Sequence, residues 1–166
     1  MMNKKDLWKE AEQKTAKITD KLGKKIDGPI RGCITALLAL GFPTSQSCGG
    51  HYSKKRTVAP WVEIYQKPPE GWKDDLEKKR SWSEENYKFA NQMFHLFLEF
   101  YEERKTSFDT LLCFVQIGCF GGFRFQSTGS PFLNRLADGE KRKKLEEYRK
   151  EMSDFSKFLK KKFFQN

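Results

Sequence analysis

Apolar residues recur along this chain with two different periods, and the switches between them outline a mixed architecture. Over 3–22, Leu7, Ala11, Thr15, Ile18 and Leu22 fall three or four apart, with Trp8 widening the stripe. That spacing predicts an amphipathic helix stopped by Gly23. A second helix is predicted over 29–40: Pro29 suits a first helical position, and Asp27 or Gly28 is placed to cap it. Its apolar face is Ile30, Cys33, Ile34, Leu37 and Leu38. Pro43 then opens an extended segment, Thr44 to Cys48, followed by two glycines.

The period becomes two over 58–65, where Val62 and Ile64 face one way and Trp61, Glu63 and Tyr65 the other, as in a strand. Residues 67–80 read as a polar linker. Ser81 and Glu84 offer a capping box for a third helix over 82–104, whose seam is Phe89, Met93, Leu96, Phe97 and Phe100. Residues 111–128 alternate again and are predicted to form a hairpin joined at Gly121-Gly122. A last helix is predicted over 140–163, with Leu145, Tyr148, Met152, Phe155, Leu159 and Phe163 inward and a basic outer face. The sum is a single α+β domain over 1–166, a small, mostly antiparallel sheet flanked by about four helices, with a motif loop and strand at 44–65.

Composition supports a folded core under a charged surface: 15 Phe among 166 residues argue against disorder although a third of the chain is charged. The net charge of +10 is unevenly placed. Residues 1–25 carry 8 Lys against 4 acids, 141–166 carry 10 Lys or Arg against 4 acids, and the segment between is balanced. Two basic terminal helices can track a phosphate backbone or an acidic protein, and equally can serve as solvated faces. No apolar run resembles a signal peptide or membrane span, so a cytoplasmic protein with reduced cysteines and no membrane partner is expected.

The candidate chemistry concentrates in 44–51, where TSQSCGGH packs hydroxyls, an amide, a thiol, two glycines and an imidazole between a helix and a strand. Three readings compete. In the first, Ser45, Gln46, Ser47 and the Gly49-Gly50 backbone bind phosphate oxygens, His51 donates or exchanges a proton, and Arg124 compensates charge. Trp61 stacks a base, and Gln126 and Ser127 beside Arg124 complete the candidate set. In the second, Cys48 and His51 join Cys113 and Cys119 around zinc, but those spacings are not a standard knuckle and no metal is expected. In the third, Cys48 is a nucleophile with His51 as its base. The alternative to an enzyme is a binding protein, a sponge for a nucleotide signal or an inhibitor of an acidic protein.

Thr44, Ser45, Ser47, Cys48, Gly50, His51, Ala59, Pro60, Trp61 and Val62 resemble an uncharacterised bacterial and archaeal family marked by an S-C-x-G-H motif and a following A-P-W-V strand. The likeness extends to 121–127 and to Tyr148, Glu151, Met152, Phe155, Phe158 and Leu159. More distantly, the helix followed by TSQSCGGH resembles the S-x-S-S-C-x-G-R stretch of the wybutosine-synthesising tRNA methyltransferases, with His51 where that family has arginine. That resemblance implies that Ser45, Ser47, Cys48 and Gly50 line a site for S-adenosylmethionine and a modified guanosine. The function expected is recognition, with processing as a further option, of a nucleotide or RNA phosphate group.

Overall fold

A computed structural model describes residues 3–20 and 22–165. The helices are α1 (Lys4–Lys17), α2 (Gly28–Ala39), α3 (Leu76–Tyr101) and α4 (Asp138–Gln165), and the strands are β1 (Thr44–Cys48), β2 (Trp61–Ile64), β3 (Leu112–Ile117) and β4 (Gly122–Ser127). Short 3₁₀ turns lie at Trp72–Asp74 and Ser130–Arg135. All strand pairings are antiparallel, in the order β1-β2-β4-β3. The small α+β domain expected from the periodicity is present. Among the described residues, no helix is long and apolar enough to cross a membrane.

One face of the sheet holds the core. Val62, Phe125 and Phe114 stand in one cross-strand row and Ile64 and Phe123 in the next, and residues paired across strands share a face. Phe97 of α3 packs its ring on Phe114, Phe125 and Phe155 at 5.0–5.8 Å, so α3 and α4 meet over β4. The predicted apolar face of α2 is enclosed between α1 and α4, with Ile30, Ile34 and Leu37 buried. Each such side chain contributes roughly 1.5–3 kcal/mol by leaving water. Enclosure on several sides makes α2 a rigid support for β1, which follows it after a short turn.

Four boundaries differ from expectation, each for a local reason. The first helix ends at Lys17, not at 22. Ile18 is already extended, and the Asp20 carboxylate accepts from the Leu22 and Lys24 amides. Thr19 and Lys25 then pair in an isolated bridge. An acid offering the backbone a local partner competes with helix, and Ile18 and Leu22 end up exposed despite their spacing. The inward face of α1 is Trp8, Ala11 and Thr15, with Leu7 exposed.

The third helix starts six residues early, because Asp75 rather than Ser81 caps it by accepting from the Lys78 amide. The expected linker is therefore partly helical. Trp82, in the first turns, stacks between Tyr65 and Phe120 and donates to the Gln66 carbonyl, while buried Asn86 clamps Gln66 and Phe120. That aromatic group closes the far end of the sheet. The 111–128 hairpin turns through 118–121, with Gly118 and Gly121 at positive φ, so Cys119 lies in the turn and not in a strand. Of the strand predicted over 58–65, Trp61–Ile64 is β2, and Val58 pairs instead with His51 in a separate bridge.

Candidate functional site

β1 is an edge strand, with the open face of the sheet on one side and a cleft on the other. Toward the open face of the sheet, Cys48 shares a row with Trp61, Gln126 and Cys113, and Gln46 shares the next with Glu63, Arg124 and Val115. Beyond its free edge lies a cleft of about 620 Å³, walled opposite by the strap that joins α1 to α2. Ser45, Gln46 and Ser47 line this cleft with Lys24 and Lys25. Four consecutive strand residues, whose side chains alternate between faces, line it together, so it runs along the edge of β1. The strand is not regular: its register shifts between Thr44 and Gln46, a bulge that adds Ser45.

The stretch after β1 is fixed from three sides. The Gly49 amide donates to Asp27 Oδ2 at 2.8 Å, although Asp27 stands at the cap position of α2. Arg149 of α4 donates to the Gly50 carbonyl at 2.7 Å and to that of Gly49 at 3.4 Å. His51 and Val58 exchange both backbone hydrogen bonds at 2.9 Å. These contacts correct the expectation that Gly49-Gly50 present free amides to a phosphate. The Gly49 amide is engaged by a carboxylate, and the Gly50 amide points at the Cys48 sulfur. Glycine is needed at 50 for shape: φ is +77°, and a Cβ would lie 2.9 Å from both Leu145 Cδ1 and the Pro60 nitrogen.

Cys48 Sγ lies 3.7 Å from His51 Nδ1, with the imidazole exposed and the thiol nearly buried. Burial raises the thiol above its ordinary range; the Gly50 amide and, more weakly, Arg124 and Arg149 pull it down, while Asp27 raises it. The resting group is thus a thiol that can donate, with a base beside it. The zinc alternative needed Cys113 and Cys119 at the same place. β2 and β4 stand between β1 and β3, and among the described residues no group of three or more metal-binding side chains forms.

Arg124 does not stand free. Its Nη2 donates to Glu63, which is buried beside it in the register row, and its guanidinium lies over the Trp61 ring at 3.9 Å. Its Nε is buried without a hydrogen-bond partner. Gln126 shares the open face with Trp61. Ser127 does not: strand alternation turns it into the core, where it is fully buried, which corrects its expected place in a ligand site.

The 49–60 excursion between β1 and β2 carries Lys54, Lys55 and Arg56, all exposed and without an ion pair among the described residues. Its base is rigid, because Asn134 accepts from the Thr57 amide at 2.8 Å and donates to the Thr57 carbonyl at 2.9 Å. Arg142 of α4 stacks on Tyr52 of the same excursion at 4.0 Å. Within the basic start of α4, Lys141 and Lys144 are engaged by Asp138, Asp109 and Glu147, which leaves Arg142 and Lys143 outward.

Sequence reasoning missed Asp27, Arg149 and the Lys24-Lys25 wall. Asp27 carried the signal of a helix cap, Arg149 that of one more cation on a basic helix, and the two lysines only that of the basic segment 1–25. No family model, curated protein or solved structure matches the chain.

Proposed function

We propose that the protein recognises a nucleotide or a single-stranded RNA segment on the open face of its sheet, beside the basic tip at 54–56. The observation that carries this is the stacked Trp61–Arg124 pair, locked by Glu63 on a face that helices do not fill. A guanidinium plane or an indole ring accepts a stacked base of any sequence, and nearby unpaired cations attract the phosphates. Gln126 adds an amide for base edges, and Cys48 and His51 place a donor and a base at the margin. The motif likeness to tRNA methyltransferases supports the same ligand class. The thiol held protonated by burial favours binding over a resting thiolate nucleophile.

The test is fluorescence anisotropy of labelled oligouridylate, with duplex RNA as a competitor. Trp61→Ala should weaken binding by ~1–3 kcal/mol, the range for one base–aromatic stack. Lys54→Gln with Lys55→Gln and Arg56→Gln should lower the slope of log affinity against log salt by about 0.7 per lost single-strand phosphate contact. Equal affinity for Trp61→Ala and an unchanged salt slope would remove the open face from the interface.

A further inference from the structure

The cleft on the other side of β1 is not used by this reading. We propose that it is a separate binding site for a nucleoside phosphate. Its volume of about 620 Å³ lies within the range of small-molecule sites, roughly 300–1,000 Å³.

Charge indicates the anionic part of the ligand. Two carboxylates also border the cleft and keep their charge, but backbone amides hold each in place, those of Leu22 and Lys24 on Asp20 and that of Gly49 on Asp27, so the lysines are the groups that can meet a phosphate. Lys24 and Lys25 make no ion pair among the described residues. Both lysines border the cleft, and ammonium groups are compact charges suited to phosphate, whereas planar carboxylates are better matched by the arginine fork.

The opposite wall indicates the rest. β1 pairs only with β2, so its outer edge presents backbone N–H and C=O groups with no strand partner. A neighbouring donor and acceptor of this kind complement the edge of an aminopurine or aminopyrimidine. Ser45 and Ser47 hydroxyls serve ribose oxygens, and Ile26 with buried Ile34 supplies the apolar surface a base plane requires. An incoming peptide strand is the other partner a free edge attracts, and the Ser45 bulge disfavours it. The extra residue breaks the repeat that an added strand must follow, while a ligand needing one donor–acceptor pair is unaffected. The cleft lies beyond the free edge of β1 and the Trp61–Arg124 pair on the open face of the sheet, with Gln46 bordering both, and neither assignment uses Gln46.

Isothermal titration calorimetry decides the matter, using AMP, GMP, CMP and UMP with adenosine and inorganic phosphate as fragments. At least one monophosphate should bind more tightly than its nucleoside and than inorganic phosphate. Lys24→Gln with Lys25→Gln should weaken it more than tenfold, with folding checked by circular dichroism. Lys88→Gln in α3 with Lys105→Gln beyond its end, an equal charge loss on exposed positions, should change it less than twofold. The assignment is overturned if no monophosphate binds at millimolar concentration, if inorganic phosphate binds as tightly, or if the two pairs of substitutions act alike. Displacement of the bound monophosphate by oligouridylate would place both ligands in one site and end the separation proposed here. If oligouridylate fails to bind at all while the monophosphate binds in a Lys24/Lys25-dependent way, the cleft assignment stands and the RNA reading falls.

Discussion

Removing the Asp27 carboxylate should loosen the motif loop far from its own helix. Asp27 precedes α2 at the cap position, yet its side chain makes no capping bond and reaches the amide of Gly49, 22 residues on. Gly49 is buried, and a Cβ built there would lie 2.8 Å from Asp27 Cβ, so helix start and loop are in direct contact. Asp27→Ala deletes a charge-assisted hydrogen bond and leaves a buried N–H without its partner, which costs about 1.5–3 kcal/mol. Asp27→Asn keeps an acceptor oxygen without the charge and should cost about 1 kcal/mol. For a chain of this length 1 kcal/mol moves the melting temperature by roughly 2–4 °C. The alanine variant should therefore melt ~3–12 °C lower and the asparagine variant ~2–4 °C lower. Thermal unfolding followed by circular dichroism at pH 7 reads both. If Asp27→Ala melts within about 1 °C of the parent, the Gly49 amide has another partner in reach, and the argument that this glycine loop is structural fails.

Two further outcomes follow from titrating groups. Burial opposes ionisation of Asp154, but hydrogen bonds from Lys150, Lys157 and Arg104 outweigh it and hold the carboxyl down at about 2. A depressed carboxyl stabilises the fold above its unfolded value of about 3.9 and loses that contribution as pH falls through about 2. Between pH 4.5 and 2 the parent should lose roughly 2 kcal/mol more than Asp154→Asn in urea unfolding; parallel pH curves would count against the network. At Cys48, burial outweighs the Gly50 amide and raises the thiol, whereas Cys119 is exposed in the β3–β4 turn. In peptide mapping after iodoacetamide, Cys48 should react more slowly than Cys119 at pH 7 and gain rate only at higher pH. Faster reaction of Cys48 at pH 7 would mean that His51 holds it as a thiolate.

Much of the fold was legible because burial imposes its period on the chain. α2 and α4 have one long apolar stripe each, and their predicted seams are buried apart from Leu38, which is half-buried, while Thr35, Ala36, Lys141 and Glu151 are buried in addition. The two faces of β2 were legible for the same reason, since a four-residue strand with Val62 and Ile64 inward leaves Trp61 and Glu63 no other side. Where the period misled, a polar side chain had offered the backbone a competing partner. Asp20 ended the first helix before Ile18 and Leu22, and Asp75 began the third ahead of Ser81.

The sequence by itself determined that hydroxyl, amide, thiol and imidazole groups are concentrated in 44–51 and that the excess of cations lies in the terminal segments. It also placed Glu63 on the strand face opposite Val62 and Ile64, and an arginine that cannot shed its charge needs such an acid among apolar neighbours. Only the tertiary structure decided what those groups do for one another. Asp27 and Arg149 take up the backbone of Gly49 and Gly50, Trp61 covers Arg124, and Ser127 is turned inward. The cleft, too, exists only because residues 18–20 and 22–27 are brought opposite the edge of β1. Periodicity reports which side of an element meets water, a property of each segment taken alone. Which polar group satisfies which depends on distances between segments remote in the chain, and those are set by packing.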